Sequence, residues 1–163
     1  MADPNLVLIL MGSTSDWPVM EHASRTLDDF QVTHDCKALS AHRNPTKVAA
    51  CVGSARDDGV QVVIAAAGGA AHLAGVCAAH TTLPVLGVPM TSVLDGLDSL
   101  LSTVQMPAGV PVGTLAIGKA GAINAALLAI QILSLRDESL QERLDSYRKK
   151  WDERPEDPRS TAG

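Results

Sequence analysis

A chain of 163 residues, with 46% hydrophobic residues, has the length and apolar content of one folded domain. Its net charge of −5, without a basic stripe, argues against sequence-independent binding to nucleic acid. Aromatic residues make up only 2%, so the core is predicted to consist of Ala, Val, Leu and Ile.

The sequence indicates neither a membrane span nor a secreted protein. The most apolar segment, residues 115–135, is interrupted by a lysine, an asparagine and a glutamine, so it is predicted to be a buried helix. The N-terminus has no basic region before its first apolar run, and no secretory signal is expected. An odd number of cysteines without metal-ligand spacing predicts small, buried, reduced side chains in a cytoplasmic protein. They are Cys36, Cys51 and Cys77.

Strands and helices are predicted to alternate from residue 6 to residue 135. Apolar runs typical of strands buried on both faces are separated by segments of helical character. The predicted strands are 6–11, 32–39, 60–67, 83–88 and a short one at 114–117. The predicted helices are 17–29, 45–57, 70–80, 97–104 and 120–135. This alternation indicates an α/β fold with a parallel sheet, helices on both faces and right-handed crossovers.

The end of the chain has a different character. Residues 137–151 are predicted to form a charged helix that follows the completed α/β unit, and the helix either packs on its own domain or reaches a neighbouring subunit. Residues 152–163, rich in proline and charge, are predicted to be a frayed tail. Residues 1–163 are therefore interpreted as one domain with its core at 6–135. The apolar stripe of the last helix consists of Leu140, Leu144, Tyr147 and Trp151.

Polar or glycine-rich segments follow the first three predicted strands. They are Gly12–Asp16, Ser40–Arg43 and Gly68–His72. Because consecutive β-to-α loops of a parallel sheet lie on one edge, these loops are expected to meet where open α/β sheets bind ligands.

The first loop has the features of an anion site. It supplies hydroxyl groups and free backbone N–H groups at the start of a helix. The alternative is that Ser15 or Asp16 only caps that helix. Because a carboxylate repels phosphate, Asp16 is better suited to bind sugar hydroxyls. The spacing differs from that of dinucleotide and triphosphate loops.

The second loop places a histidine beside an arginine. The imidazole of His42 has a pKa suited to proton transfer near neutral pH. The guanidinium of Arg43 has the shape to bind a phosphate. The pair suggests proton chemistry on a phosphorylated small molecule, although spacing alone leaves a structural role for His42 open.

The third loop contains two consecutive glycines. Gly68 and Gly69 permit close approach of the backbone to a ligand, or a positive φ. The alternative is a tight turn that lets a helix of small residues pack closely. His72 lies about one helical turn further on, and a lone histidine there is more often a structural donor than a ligand-binding group.

Five segments together resemble one known family. The chain from about residue 6 to residue 148 resembles the class I PurE family, the N5-carboxyaminoimidazole ribonucleotide mutases of bacterial purine synthesis. The segments that carry the resemblance are Gly12–Trp17 (GSTSDW), Ser40–Pro45 (SAHRNP), Ala67–Leu73 (AGGAAHL), Pro84–Pro89 (PVLGVP) and Asp98–Lys119.

The resemblance implies a flavodoxin-like three-layer α/β/α sandwich that assembles as an octamer. It further implies active sites at subunit boundaries and a C-terminal helix that packs on a neighbouring subunit. The implied reaction moves a carboxyl group from the exocyclic nitrogen of the substrate to C4 of its imidazole ring. No metal or organic cofactor is implied.

The resemblance also implies roles for individual residues. His42 is the general acid and base, Ser13 and Arg43 hold the 5′-phosphate with the backbone near Ser15, and Asp16 contacts the ribose. The remaining residues line the pocket for the base and the carboxylate. The full set implied to bind substrate is Gly12, Ser13, Ser15, Asp16, Ser40, Ala41, Arg43, Gly68, Gly69, Ala70, Ala71, His72 and Leu73.

Three positions depart from the family pattern. Asn44 replaces a threonine, Ala74 replaces a proline, and Ala66 replaces a glycine. A Cβ atom at position 66 is tolerated if the backbone there is extended, whereas a positive φ requires the loop to shift.

Two other functions remain as alternatives. A class II carboxylase acts on aminoimidazole ribonucleotide and free carbon dioxide, but Arg43 and the segment around His72 argue against that class. A flavodoxin-like binding or signalling module needs aromatic rings or an acidic cluster at the sheet edge. Only Trp17 and Asp16 lie near the candidate loops.

Overall fold

The computed structural model describes residues 6–153, which form a five-stranded parallel sheet with helices on both faces. The strands are β1 (Val7–Met11), β2 (His34–Ala38), β3 (Val62–Ala67), β4 (Val85–Pro89) and β5 (Gly113–Thr114). The helices are α1 (Trp17–Asp29), α2 (Pro45–Ser54), α3 (Leu73–His80), α4 (Leu97–Val104), α5 (Lys119–Ser134) and α6 (Glu138–Asp152). A 3₁₀ turn at Thr14–Asp16 precedes α1. The predicted α/β class is confirmed.

Alternating side chains of the buried strands create two cores. In β1, Ile9 packs in one hydrophobic cluster with residues of α1, α5 and α6. Leu8 and Leu10 point to the opposite face and pack with residues of α2 and α3. The sheet is therefore the middle of three layers, as the resemblance implies.

The strand order places a crevice at one edge of the sheet. The order β2-β1-β3-β4-β5 is that of flavodoxin-like folds, which bind ligands between β1 and β3. Met11 lies level with Ala38 on one side and with Ala66 on the other. The loops that follow these three strands therefore start at the same height.

Several element boundaries differ from the predicted ones, and two of these differences lie at α3 and β5. Helix α3 begins at Leu73 rather than at residue 70, because Gly69 has a positive φ of 65° and Ala71 N–H donates to the Gly69 carbonyl at 2.8 Å. This tight turn replaces the first helical bonds. The fifth strand is Gly113–Thr114 rather than 114–117. The strand therefore ends before Gly118, whose φ is 71°.

Helix α6 packs on its own chain. Asp137 caps it by accepting hydrogen bonds from the backbone N–H groups of residues 139 and 140, at 2.9 and 3.2 Å. Leu140 and Leu144 are buried in the core beside α1 and α5, and the ring of Tyr147 lies 5.6 Å from that of Phe30. Contact of this helix with a neighbouring subunit stays a prediction. Residues 154–163 of the predicted tail lie outside the described residues.

The cysteines are only partly as predicted. Cys77 is buried, and burial raises its pKa to about 12. Cys36 and Cys51 are half-buried, so their predicted burial is wrong. Cys36 lies on the edge strand β2, and Cys51 lies 4.0 Å from the exposed ammonium group of Lys37. Between residues 6 and 153, no helix combines the length and hydropathy needed to cross a membrane.

Candidate active site

The three predicted loops enclose one cavity of about 420 Å³ at the carboxyl ends of β1, β2 and β3. Three residues of the set implied by the resemblance are not part of its wall, namely Ser15, Gly69 and Ala71. Ala67 lines the cavity and was not in that set. The lining residues are Gly12, Ser13, Asp16, Ser40, Ala41, His42, Arg43, Ala67, Gly68, Ala70, His72 and Leu73.

The first loop is held by a capping box. Ser13 Oγ accepts the backbone N–H of Ser15 at 3.2 Å, and Asp16 Oδ2 accepts the backbone N–H of Ser13 at 3.1 Å. The capping residue is Ser13 rather than the predicted Ser15 or Asp16. Asp16 is the third residue of the box, and its side chain makes no capping bond to α1. Burial raises the pKa of Asp16, and the Ser13 N–H partly opposes that rise. Ser13 and Asp16 nevertheless face the cavity.

The second loop is folded around Ser40. Its Oγ accepts the backbone N–H of Arg43 at 3.2 Å, and its carbonyl accepts that of Asn44 at 2.8 Å. The guanidinium of Arg43 reaches the first loop, where Nη2 donates to the Gly12 carbonyl at 3.1 Å. This bond uses one of five guanidinium N–H donors. The arrangement places a cation beside Ser13, as binding of an anion requires.

His42 and His72 form a pair inside the cavity. Nε2 of His42 lies 2.8 Å from Nδ1 of His72, and the two rings meet edge to face with centroids 4.9 Å apart. One nitrogen donates and the other accepts, so the neutral pair shares one proton across this bond. The ring of His72 lines the cavity rather than serving the protein interior.

The third loop is held from behind by α4. The backbone N–H of Gly69 donates to Ser99 Oγ at 2.9 Å, and the Gly69 carbonyl accepts Ser102 Oγ–H at 3.2 Å. Its positive φ confirms that a glycine conformation is used here. Neither Ser99 nor Ser102 was predicted from the sequence. No local pattern could reveal them, because they lie 30 and 33 residues from Gly69.

Comparison with known proteins assigns the fold and its site to a family. The family model described as AIR carboxylase matches residues 6–154. The chain belongs to the AIR carboxylase family.

Individual relatives extend over nearly the whole chain. A protein of Brucella melitensis and one of Bacillus subtilis, both named N5-carboxyaminoimidazole ribonucleotide mutase, are 58% identical over 88% of this chain and 89% of their own length. The crystal structure of Treponema denticola PurE superposes with a TM-score of 0.79 at 27% identity, covering 88% of this chain and 89% of that one.

The three departures from the AIR carboxylase family pattern fit the backbone. Ala66 lies in β3 with its neighbours in register, and it is fully buried, so its Cβ requires no shift of the loop. Ala74 is in the first turn of α3, where a helix tolerates either proline or alanine. Asn44 is the N-cap of α2, but its side chain makes no capping hydrogen bond, so the start of the helix does not rely on its amide.

Proposed function

We propose that this chain is an isomerase of purine biosynthesis that converts N5-carboxyaminoimidazole ribonucleotide into 4-carboxy-5-aminoimidazole ribonucleotide. The observation that carries the proposal is the cavity itself, whose wall contains both His42 and Arg43 at the switch point of the sheet. The relatives that share this chain's sequence at 58% identity are named for the same reaction.

The substrate phosphate binds at the first loop. Ser13 and the guanidinium of Arg43 lie on the same side of the cavity, joined through the bond from Arg43 to the Gly12 carbonyl. A charged guanidinium and backbone N–H groups give short, strong bonds to phosphate oxygens. Asp16, held by the capping box, binds ribose hydroxyls. Binding energy from this remote end orients the imidazole ring of the substrate.

His42 donates one proton to the substrate in the first half of the reaction and removes one proton from it in the second half. In the first step the bond between the exocyclic nitrogen and the carboxylate carbon breaks, carbon dioxide forms, and the nitrogen takes a proton from the imidazolium of His42. In the second step C4 of the substrate attacks carbon dioxide to form the new bond between carbons. Neutral His42 then removes the C4 proton, which restores both the aromatic ring and the imidazolium. No step requires a metal or an organic cofactor.

His72 orients the ring of His42. The hydrogen bond between His42 Nε2 and His72 Nδ1, at 2.8 Å, fixes the position of the imidazole that carries the proton. The wall beside the pair consists of small residues, Ala67, Gly68 and Ala70, which leave room for carbon dioxide beside the bound ring.

An assay that supplies the two candidate substrates separately tests the proposed reaction. At low bicarbonate, we expect turnover of the carboxyamino nucleotide and none of the free amine, because the carboxyl group arrives on the substrate. Loss of the carboxyl group without enzyme is measured in parallel and subtracted. Turnover of the free amine with bicarbonate, while the carboxyamino compound stays inert, would identify a class II carboxylase instead.

We further propose that the chain assembles as an octamer in the cytoplasm. Helix α4 exposes Leu97, Leu101 and Val104 at helical spacing, which is an apolar stripe that no other part of residues 6–153 covers. Trp151 on α6 is 52% exposed beside a groove that also contains Leu127. Light scattering of the purified protein is expected to give eight times the chain mass of 17.0 kDa. A monomeric mass would overturn the assembly.

A further inference from the structure

We propose that Ser99 and Ser102 of α4 are positioning residues that keep the third loop closed over the released carbon dioxide. Without them the carboxyl group is lost to solvent instead of being transferred. This inference rests on the proposed function, and it assigns a task to a helix that does not line the cavity.

Helix α4 hydrogen bonds to both the backbone N–H and the backbone carbonyl of Gly69. Ser99 is fully buried, and its Oγ accepts the Gly69 N–H at 2.9 Å. The single hydroxyl proton of Ser102 is shared between the Gly69 carbonyl, at 3.2 Å, and the Asp98 carbonyl of its own helix, at 2.8 Å. The Gly69 carbonyl also accepts the backbone N–H of Ala71 at 2.8 Å. The peptide groups of Gly69 are therefore turned toward α4.

The orientation of Gly69 decides what faces the cavity. Gly68 and Ala70 line the wall, whereas Gly69 between them is directed at the serines. A glycine has no side chain to pack and loses more conformational freedom on ordering than any other residue. Hydrogen bonds from a neighbouring helix supply the restraint that packing supplies elsewhere. The wall of the pocket therefore depends on two hydroxyl groups behind it.

Carbon dioxide is the species that this wall has to retain. It exists after the bond to nitrogen has broken and before C4 has attacked, and it carries no charge by which the protein could hold it. If the wall opens at that moment, the products are the free amine and carbon dioxide. Phosphate binding relies on the first and second loops, so KM is expected to change less than the fate of the carboxyl group.

The test compares Ser99→Ala and Ser102→Ala with Thr103→Val. Thr103 is the matched control because its buried hydroxyl on the same helix donates to the Ser99 carbonyl at 2.7 Å, within the helix. The substrate carries an isotopic label on its carboxyl carbon. Each variant is measured for kcat, KM, melting temperature and the fraction of label lost as carbon dioxide, corrected for loss without enzyme.

Ser99→Ala leaves the Gly69 N–H unpaired. We expect this variant to lower kcat about tenfold and to raise the fraction of label lost as carbon dioxide at least about threefold above that of Thr103→Val, with KM within about twofold. Ser102→Thr keeps the hydroxyl and is expected to restore retention of the label. If Ser99→Ala fails to fold, Ser102→Ala and its threonine counterpart decide the question, because Ser102 is partly exposed.

Two outcomes separate this inference from the proposed function. If the unmodified protein converts the carboxyamino substrate but both alanine variants lose no more label than Thr103→Val, the positioning role is wrong and the function stands. If the unmodified protein does not convert that substrate, the proposed function itself fails.

Discussion

Replacement of His42 by asparagine is expected to abolish turnover while substrate binding survives. A positioned acid and base contributes about 100- to 10,000-fold to the rate, and an amide cannot exchange a proton at neutral pH. The ring of His42 is exposed to the cavity, so the core does not depend on it. We expect kcat to fall by about three orders of magnitude, with product affinity nearly unchanged by calorimetry.

The matched control for this variant is His80→Asn. His80 is an exposed histidine at the end of α3, outside the cavity wall. Its replacement is expected to leave kcat and product affinity as they are. If His42→Asn retains more than about a tenth of the activity, His42 is not the proton shuttle.

Replacement of Arg43 by alanine is expected to weaken substrate binding far more than it lowers kcat. Hydrogen bonds to charged groups contribute about 1.5–3 kcal/mol, which corresponds to a loss of affinity of about 10- to 100-fold. The side chain is exposed and reaches the first loop through the Gly12 carbonyl at 3.1 Å, so little of the fold depends on it. Titration with the product measures the affinity directly.

A second titration and a matched variant isolate the phosphate contact. The nucleoside that lacks the phosphate is expected to bind equally well to the unmodified protein and to Arg43→Ala. Arg56→Ala removes the same charge from an exposed arginine that bonds to Thr82 Oγ1 at 3.0 Å, outside the cavity wall, and is expected to have no effect. Equal affinity of Arg43→Ala and Arg56→Ala for the phosphorylated product would contradict the phosphate role.

Local pattern was sufficient to predict the frame of the site. The apolar run before Gly12 and the one that ends near Ala67 are buried strands, because residues buried on both faces show as continuous hydrophobic sequence. Alternation with helices implied a parallel sheet, and a parallel sheet brings its β-to-α loops to one edge. The shared cavity of His42, Arg43 and Gly68 follows from that rule alone.

Residues far apart in the chain determined the rest. Local pattern around His72 favoured a structural donor, and the resemblance placed it among the substrate-binding residues. Neither predicted that its Nδ1 lies 2.8 Å from Nε2 of His42. Ser99 and Ser102 were not predicted either, because the local sequence of an amphipathic helix does not indicate which distant glycine its serines will bond to.

The difference between the features that the sequence predicted and those that it did not has one physical cause. Strand and helix periods, capping residues and the positions of loops depend on neighbours within a few residues, so the amino-acid sequence by itself determined the α/β frame and the loops that carry His42 and Arg43. Contacts between α4 and Gly69, or between His42 and His72, depend on how the completed layers pack. Only the tertiary structure decided which side chains restrain the loops, since that packing optimises the whole core at once.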